Sequence, residues 1–360
     1  MVKDLKEVLK EDFWIMPATP KYINKGIPYI TSKNIKNGKI DFENVNYIDI
    51  EDYRKISKNR PILVDDILIS MIGTIGETAI VKEKDGAFYG QNMFLVRLDE
   101  NKIYQRYFIN YFKSNIVKRQ LINKQNKSTQ SYLKASHIES LKIPIPELNE
   151  QKKIANILDK VQEIIDLRKK QIEKLDELIK SQFVNMFENN DCETKKWQDV
   201  FNTTTGKLDS NAMIEGGIYP FFTCAKESFR INEYAFDCEA LLLAGNNAAG
   251  VYDVKHYKGK FNAYQRTYVL TLKNEKWKYE LFKLELEEKL DFLKSQSKGS
   301  NTRYLTMKIL NDLTFKVPDL NSQNKFAEFV KQINKQKFIL EKTLKETEEL
   351  QESLMNKYFS

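Results

Sequence analysis

The chain is written twice. Residues 140–187 superpose on 312–359 at a shift of 172 without a gap. Pro146 meets Pro318, Leu148 meets Leu320, Asn149 meets Asn321, Gln151 meets Gln323, Ala155 meets Ala327, Leu178 meets Leu350 and Phe187 meets Phe359. Upstream, Ser128, Tyr132 and Leu133 meet Ser300, Tyr304 and Leu305 at the same shift. Gly76 and Gln91 meet Gly250 and Gln265 at a shift of 174. Gly26-Ile27 meets Gly217-Ile218 at 191. The shift falls in order, so the halves are collinear, and the first carries roughly 17 extra residues between Tyr29 and Gly76. A period this long is a two-fold duplication rather than a solenoid, and 360 residues divide into two domains of ordinary size.

Each half ends in a long helix. Positions 154, 158, 161, 165, 168, 172, 175, 179, 182 and 186 alternate by four and three. They carry Ile154, Leu158, Val161, Ile165, Ile172, Leu175, Ile179 and Met186, interrupted by Arg168 and Gln182. That spacing is a coiled-coil seam rather than the stripe of a globular helix. The second half repeats it with Phe326, Val330, Ile333, Leu340, Leu344, Leu354 and Tyr358. Asn149 and Asn321, each following a proline that disfavours helix upstream, are the expected N-caps. At 1.5 Å per residue each helix is on the order of 55–60 Å long. For the repeat to close, the two helices run antiparallel, seam to seam. They then act as a ruler between the domains.

The first part of each half is mixed. Ile67–Ser70 and Ala240–Leu243 read as short buried strands, followed by Gly-rich turns at Gly73–Gly76 and Gly245–Asn247. Met93–Leu98 and Tyr268–Leu272 are further strands, and Tyr104–Asn115 and Tyr279–Leu293 read as helices. The expected fold class is α+β. Two α/β domains, residues 1–145 and 189–317, are joined by two long antiparallel helices, residues 146–188 and 318–360.

Enzyme signatures are missing. The eight prolines include no Pro-Pro pair, which removes the loop that amino-methyltransferases use to accept a base amine. There is no G-x-x-x-x-G-K-[ST] phosphate loop and no G-x-G-x-x-G after a strand. Pro318-Asp319 lacks the Asp/Glu-x-Lys of a nuclease and reads as a helix start. Gly245–Gly250 reads as a strand-to-strand turn in preference to a phosphate cradle. His137 and His256 read as satisfied or solvated side chains, and Cys192, Cys224 and Cys238 as small core residues. Three widely spaced cysteines and two histidines give no disulfide framework and no metal site. With no apolar run of ~18 residues and no signal peptide, a cytoplasmic location is expected.

The net charge of +8 says less than its distribution. From Asn101 to Ile138 there are eight basic residues and no acid, and from Phe292 to Asn311 four and no acid. Each stretch holds a polar loop: Lys127, Ser128, Gln130 and Tyr132 in the first, Lys298, Ser300, Asn301, Arg303 and Tyr304 in the second. Bases and hydroxyls suit phosphates, while Gln, Asn and Arg make bidentate contacts with base edges. Gln91-Asn92 and Gln265-Arg266 have the same character beside strand starts. These thirteen residues are the expected DNA-contacting set.

At this point the sequence resembles a family, the specificity subunits of type I restriction-modification systems. The carriers are Pro144-x-Pro146-x-Leu148-x-Glu150-Gln151, its echo Pro318-x-Leu320-x-Ser322-Gln323, Gly26–Thr31, Tyr219–Thr223, Tyr234–Asp237 and Gly259–Arg266. Two departures stand out: Leu5-x-x-Val8 where the second half has Trp197-x-x-Val200, and Ser322 in place of Glu150. The resemblance implies a chain without catalysis of its own. Each domain would read one half of a bipartite, asymmetric double-stranded DNA target. The helices would bind methyltransferase subunits, two per chain, with a restriction subunit in the full complex. S-adenosylmethionine, ATP and Mg²⁺ would belong to those partners, and no cofactor to this chain. The rival readings are a stand-alone duplicated nuclease or methyltransferase, and a coiled-coil scaffold that binds no DNA.

Overall fold

The structure is a computed structural model that describes residues 2–10, 14–15, 20–36, 38–71, 76–122, 134–188, 192–247, 250–299 and 302–360. It divides into two compact units, Met1–Lys169 with Lys342–Ser360, and Lys170–Glu341. Each unit is thus a globule with part of both long helices, Leu148–Phe183 and Leu320–Phe359.

In the first unit, strand Val2–Asp4 pairs antiparallel with Lys142–Pro144, which leads into the long helix. A four-stranded antiparallel sheet runs in the order Trp14–Ile15, Met93–Val96, Ile67–Ser70, Thr78–Ile80. The alternation of strand side chains decides its packing. Ile67 and Ile69 face one core with Tyr107, Phe108 and Tyr111 of helix Gln105–Lys113. Leu68 faces a second core with Met93, Leu95 and Phe88. That two-sided burial is why this strand reads as a continuous apolar run. A second sheet runs Tyr89–Gly90, Ile27–Ile30, Asn46–Ile48, Tyr22–Ile23, its first pair parallel.

The second unit repeats this plan. Glu193–Lys196 pairs with Thr314–Val317. A six-stranded sheet runs Phe201–Thr205, Thr267–Leu272, Phe236–Ala244, Val254–Ala263, Tyr219–Phe222, Phe229–Ile231. Leu241 and Leu243 face the core shared with helix Tyr279–Glu288, while Ala240 and Leu242 face the other side. The parallel pairing of Tyr29-Ile30 with Tyr89-Gly90 recurs as Phe221-Phe222 with Asn262-Ala263.

Within each unit the long helices run antiparallel. In the first, Gln351 donates to Gln162 at 2.9 Å, and Arg168 donates to the Thr343 carbonyl at 2.5 Å and to the Thr347 hydroxyl. In the second, Lys337 meets Asp176 at 2.7 Å and Phe183 packs on Phe326 at 5.9 Å. Ile154, Leu158, Val161, Ile165, Phe326, Val330 and Ile333 are buried. Ile172, Leu175, Ile179, Leu340, Leu344 and Leu354 are half-buried. Arg168 enters the seam because the Thr343 carbonyl and the Thr347 hydroxyl accept from its guanidinium.

Four expectations change. The helices start at Leu148 and Leu320, so Asn149 and Asn321 lie in the first turn rather than at the cap. In the second helix Asp319 is the capping side chain, accepting from the amides of Asn321 (2.9 Å) and Ser322 (3.0 Å) and from the Ser322 hydroxyl (2.7 Å). The Ser322 hydroxyl and amide hold its carboxyl below the ordinary value. The segment Tyr279–Leu293 is two helices, Tyr279–Glu288 and Leu290–Gln296. The break is at Lys289, whose amide closes a tight turn on Leu286 at 3.1 Å so that Leu293 can join the core. The three cysteines are only half-buried. Within Gly245–Gly250, where 248 and 249 lie outside the described residues, Asn246-Asn247 forms a strand with a distant segment rather than part of a plain turn.

Candidate nucleic-acid interface

In the second unit three segments meet where strand Phe236–Ala244 ends. The Gly245 amide donates to the Arg266 carbonyl at 2.9 Å, and the Gly245 carbonyl accepts from the Leu305 amide at 2.8 Å. A Cβ at 245 would stand 2.3 Å from the Arg266 carbonyl oxygen, so only glycine permits this approach. Asn246 and Asn247 then pair antiparallel with Tyr304 and Arg303. Lys298 and Tyr304 exchange both backbone bonds, at 3.1 and 2.8 Å. The Tyr268 hydroxyl ties Leu305 to the sheet at 3.1 Å, and the Cys224 thiol donates to the Arg266 carbonyl at 3.4 Å.

The fold therefore brings Gln265, Arg266, Lys298, Arg303 and Tyr304 to one sheet end, all of them exposed. Among the described residues, the Arg303 guanidinium spends one of its five N–H donors, on the Lys294 carbonyl at 3.3 Å. This is a surface of fixed backbone carrying long basic and amide side chains. Such a surface suits a polyanion and the edges of bases.

The first unit has the corresponding corner. The Met71 amide donates to the Asn92 carbonyl at 3.0 Å, the same bond as Gly245 to Arg266 at the shift of 174. The Ser32 hydroxyl donates to that carbonyl as well. Gln91 is half-buried, its amide on the Ile30 carbonyl at 3.0 Å. Asn92 is exposed, at φ 61°, in the left-handed region that asparagine tolerates. Lys127, Ser128, Gln130, Tyr132, Ser300 and Asn301 lie outside the described residues.

Sequence reasoning missed Asn246 and Asn247 as part of this corner. The Gly-Asn-Asn run was visible, but its partner strand lies in a distant segment and no local pattern reports it. Among the described residues no group of His, Cys, Asp and Glu is placed to hold a metal ion. No described helix is long and apolar enough to cross a membrane. His256 is satisfied by Glu239 at 2.9 Å and stacks on Tyr279.

The family model for the type I restriction modification DNA specificity domain matches residues 1–177 and 189–350. The chain belongs to that family. It is 38% identical over 140 residues to the type I restriction enzyme EcoDI specificity subunit of Escherichia coli, covering 38% of this chain and 30% of that one. It is 31% identical over 193 residues to a protein of Methanocaldococcus jannaschii assigned as the type I restriction enzyme MjaX specificity subunit, 52% of this chain and 45% of that one. The chain thus spans less than half the length of these two curated relatives. The crystal structure of a type I restriction-modification S subunit from M. genitalium aligns over 100% of this chain and 96% of its own, with TM-score 0.61 at 15% identity. That likeness concerns the fold.

Proposed function

We propose that this member of the type I restriction-modification specificity family is a non-catalytic DNA-specificity subunit acting in the cytoplasm. Its two units each read one half of a bipartite, asymmetric double-stranded target. Its long helices hold methyltransferase subunits, two per chain, and a restriction subunit joins in the full complex. Methylation with S-adenosylmethionine, and cleavage with ATP and Mg²⁺, belong to those partners. The observation that carries this reading is the duplicated corner, with Gln91-Asn92 in one unit and Gln265-Arg266 beside Lys298 and Arg303 in the other, in a chain matched by the family in both halves.

The residues divide by chemistry. Arg266 and Arg303 present the planar fork that meets guanine O6 and N7 in the major groove, and Gln91, Asn92, Gln130, Gln265 and Asn301 the amide that meets adenine. Lys127 and Lys298, with Ser128 and Ser300, meet phosphates, while Tyr132 and Tyr304 flank them. Expression of this chain with its methyltransferase, followed by sequencing of methylated genomic sites, tests the reading. A split motif is expected. Arg303→Ala or Arg266→Ala should relax one half only, by ~1–3 kcal/mol per lost bidentate pair, and Gln130→Ala only the other. Lys298→Ala should weaken all sequences alike and flatten the salt dependence by about 0.9 in log–log slope. A change that blurred both halves equally would defeat the assignment of one half-site to each unit. Methyl transfer by the purified chain alone would replace it with an enzyme.

A further inference from the structure

An exposed arginine samples many rotamers, and a reader of base edges must give up that freedom on binding. At Arg303 part of it is already gone. Gly250 lies directly against its side chain: a Cβ at 250 would stand 2.7 Å from Arg303 Cδ and 3.5 Å from Lys294 Cγ. The Lys294 carbonyl accepts from Arg303 Nη1 at 3.3 Å. Gly250 is itself held in place by Asn247, the residue paired with Arg303 across the short ribbon. Its amide donates to the Asn247 carbonyl at 3.2 Å, and the next amide, of Val251, donates to Asn247 Oδ1 at 3.3 Å. Asn247, Gly250 and Lys294 together form a seat for one side chain.

We infer that Gly250 is a positioning residue for sequence readout: the absent side chain seats Arg303 and sets the direction of its guanidinium. The inference rests on the DNA-reading role proposed above for Arg303. Gly250 also has φ +66°, a conformation that suits glycine. The structural alternative is that this backbone requirement is its whole purpose. The two roles separate physically. The atom a new Cβ would strike belongs to a side chain that can swing aside, so the fold survives, but the guanidinium moves with it.

The test uses the full chain and a library of random-sequence duplex DNA, with the bound fraction sequenced. The unaltered chain is expected to enrich a bipartite motif, and Arg303→Ala to lose preference at one or two positions in one half. Gly250→Ala and Gly250→Asn should each lose about tenfold in preference at those same positions. The other half-site and the salt dependence should stay unchanged. Asparagine accepts the left-handed backbone, so its effect isolates crowding from backbone strain. Adding Gly250→Ala to Arg303→Ala should change the motif no further, because the seat then has no occupant.

A Gly250→Ala motif identical to that of the unaltered chain overturns the inference. So does any further change on top of Arg303→Ala, an Arg303→Ala motif that is itself unaltered, or loss of folding by circular dichroism in both Gly250 variants. In those cases the DNA reading still stands on the motif of the unaltered chain. If the unaltered chain enriches no motif, the DNA reading fails and this inference with it.

Discussion

The two units hold the same bonds where the globule meets its helix and different chemistry where the exposed corner meets solvent. The Tyr104 amide donates to Gln151 Oε1 at 2.8 Å in the first unit, and the Lys278 amide to Gln323 Oε1 at 3.1 Å in the second. The Leu5 amide bonds Leu141, and the Trp197 amide bonds Leu313, at 2.9 and 3.0 Å. The residue types differ, yet the bond is kept: Trp197 adds an indole bond to Thr203, and Leu5 fills the same corner without one. At the exposed corner Asn92 stands where Arg266 stands, on an unchanged backbone bond. Among the described residues, the first unit alone carries the hairpin Ile35–Lys36 with Lys39–Ile40 and the helix Ile50–Ser57. The lesson is that position is fixed by backbone bonding and buried amides, which leaves side chains at the corner free to differ.

The largest effect expected from breaking this likeness is at the two buried glutamines. Gln151 and Gln323 are both fully buried. Gln151 makes three bonds, adding the Lys102 and Pro146 carbonyls at 3.0 and 2.9 Å. Gln323 makes two, adding Pro318 at 2.8 Å. Replacement by leucine keeps the volume and orphans the backbone partners, at about 1–3 kcal/mol each. Urea unfolding should show Gln151→Leu losing roughly 3–5 kcal/mol and Gln323→Leu roughly 2–3. Equal losses would mean the third bond contributes nothing.

A smaller effect tests the two glycines that precede the strands Ile27–Ile30 and Tyr219–Phe222, each lying against the antiparallel neighbour strand. A Cβ at Gly26 would lie 2.3 Å from the Ile48 carbonyl oxygen, and one at Gly217 2.6 Å from the Ile231 amide nitrogen. Both obstacles are backbone and cannot swing aside as Arg303 can. Gly26→Ala and Gly217→Ala should each cost about 1–3 kcal/mol in the same unfolding measurement. Values near zero would mean the strand edge yields.

The helices and the strand faces were legible because each rests on a local period. The alternation of four and three put Ile154 through Ile165 and Phe326 through Ile333 on one seam, and these are buried. Ile67-Leu68-Ile69 could be read as a two-sided strand from its lack of polar alternation. The helix break at Lys289 was not legible, since no glycine or proline marks it and it follows from where Leu293 packs. The cap was displaced from Asn321 to Asp319 because the Asp319 carboxylate, one residue before the helix, is the side chain that reaches the free amides of Asn321 and Ser322. At the corner, Gln265-Arg266 and Lys298–Tyr304 stood out by composition. Their meeting through Gly245, and the seat at Gly250, depend on pairing between distant segments that no window of sequence contains.

The smallest effect concerns a position where the units differ in charge. Tyr111 and Glu285 correspond at the shift of 174, on helices Gln105–Lys113 and Tyr279–Glu288. Tyr111 donates its hydroxyl to the Lys142 carbonyl at 2.9 Å, a neutral bond. Glu285 puts a carboxyl in the same setting, with Oε1 accepting from the Lys316 amide at 2.7 Å and from Lys289 at 3.2 Å. Among the described residues its buried Oε2 has no hydrogen-bond partner. Burial pushes the carboxyl above its ordinary value, against the pull of Lys289. A raised folded value means the folded state holds the proton more tightly than the unfolded chain. Its stabilisation is complete below the ordinary glutamate range and is lost as pH rises from there through the folded value. Glu285→Gln keeps an acceptor for Lys316 and removes the ionisation. Thermal unfolding should place its midpoint above that of the unaltered chain at pH 8, with the gap closing towards pH 4. Tyr111→Phe should shift the midpoint equally at both values, since its hydroxyl stays protonated throughout. A Glu285→Gln gap that stayed constant across this range would mean that Lys289 fully compensates the buried charge.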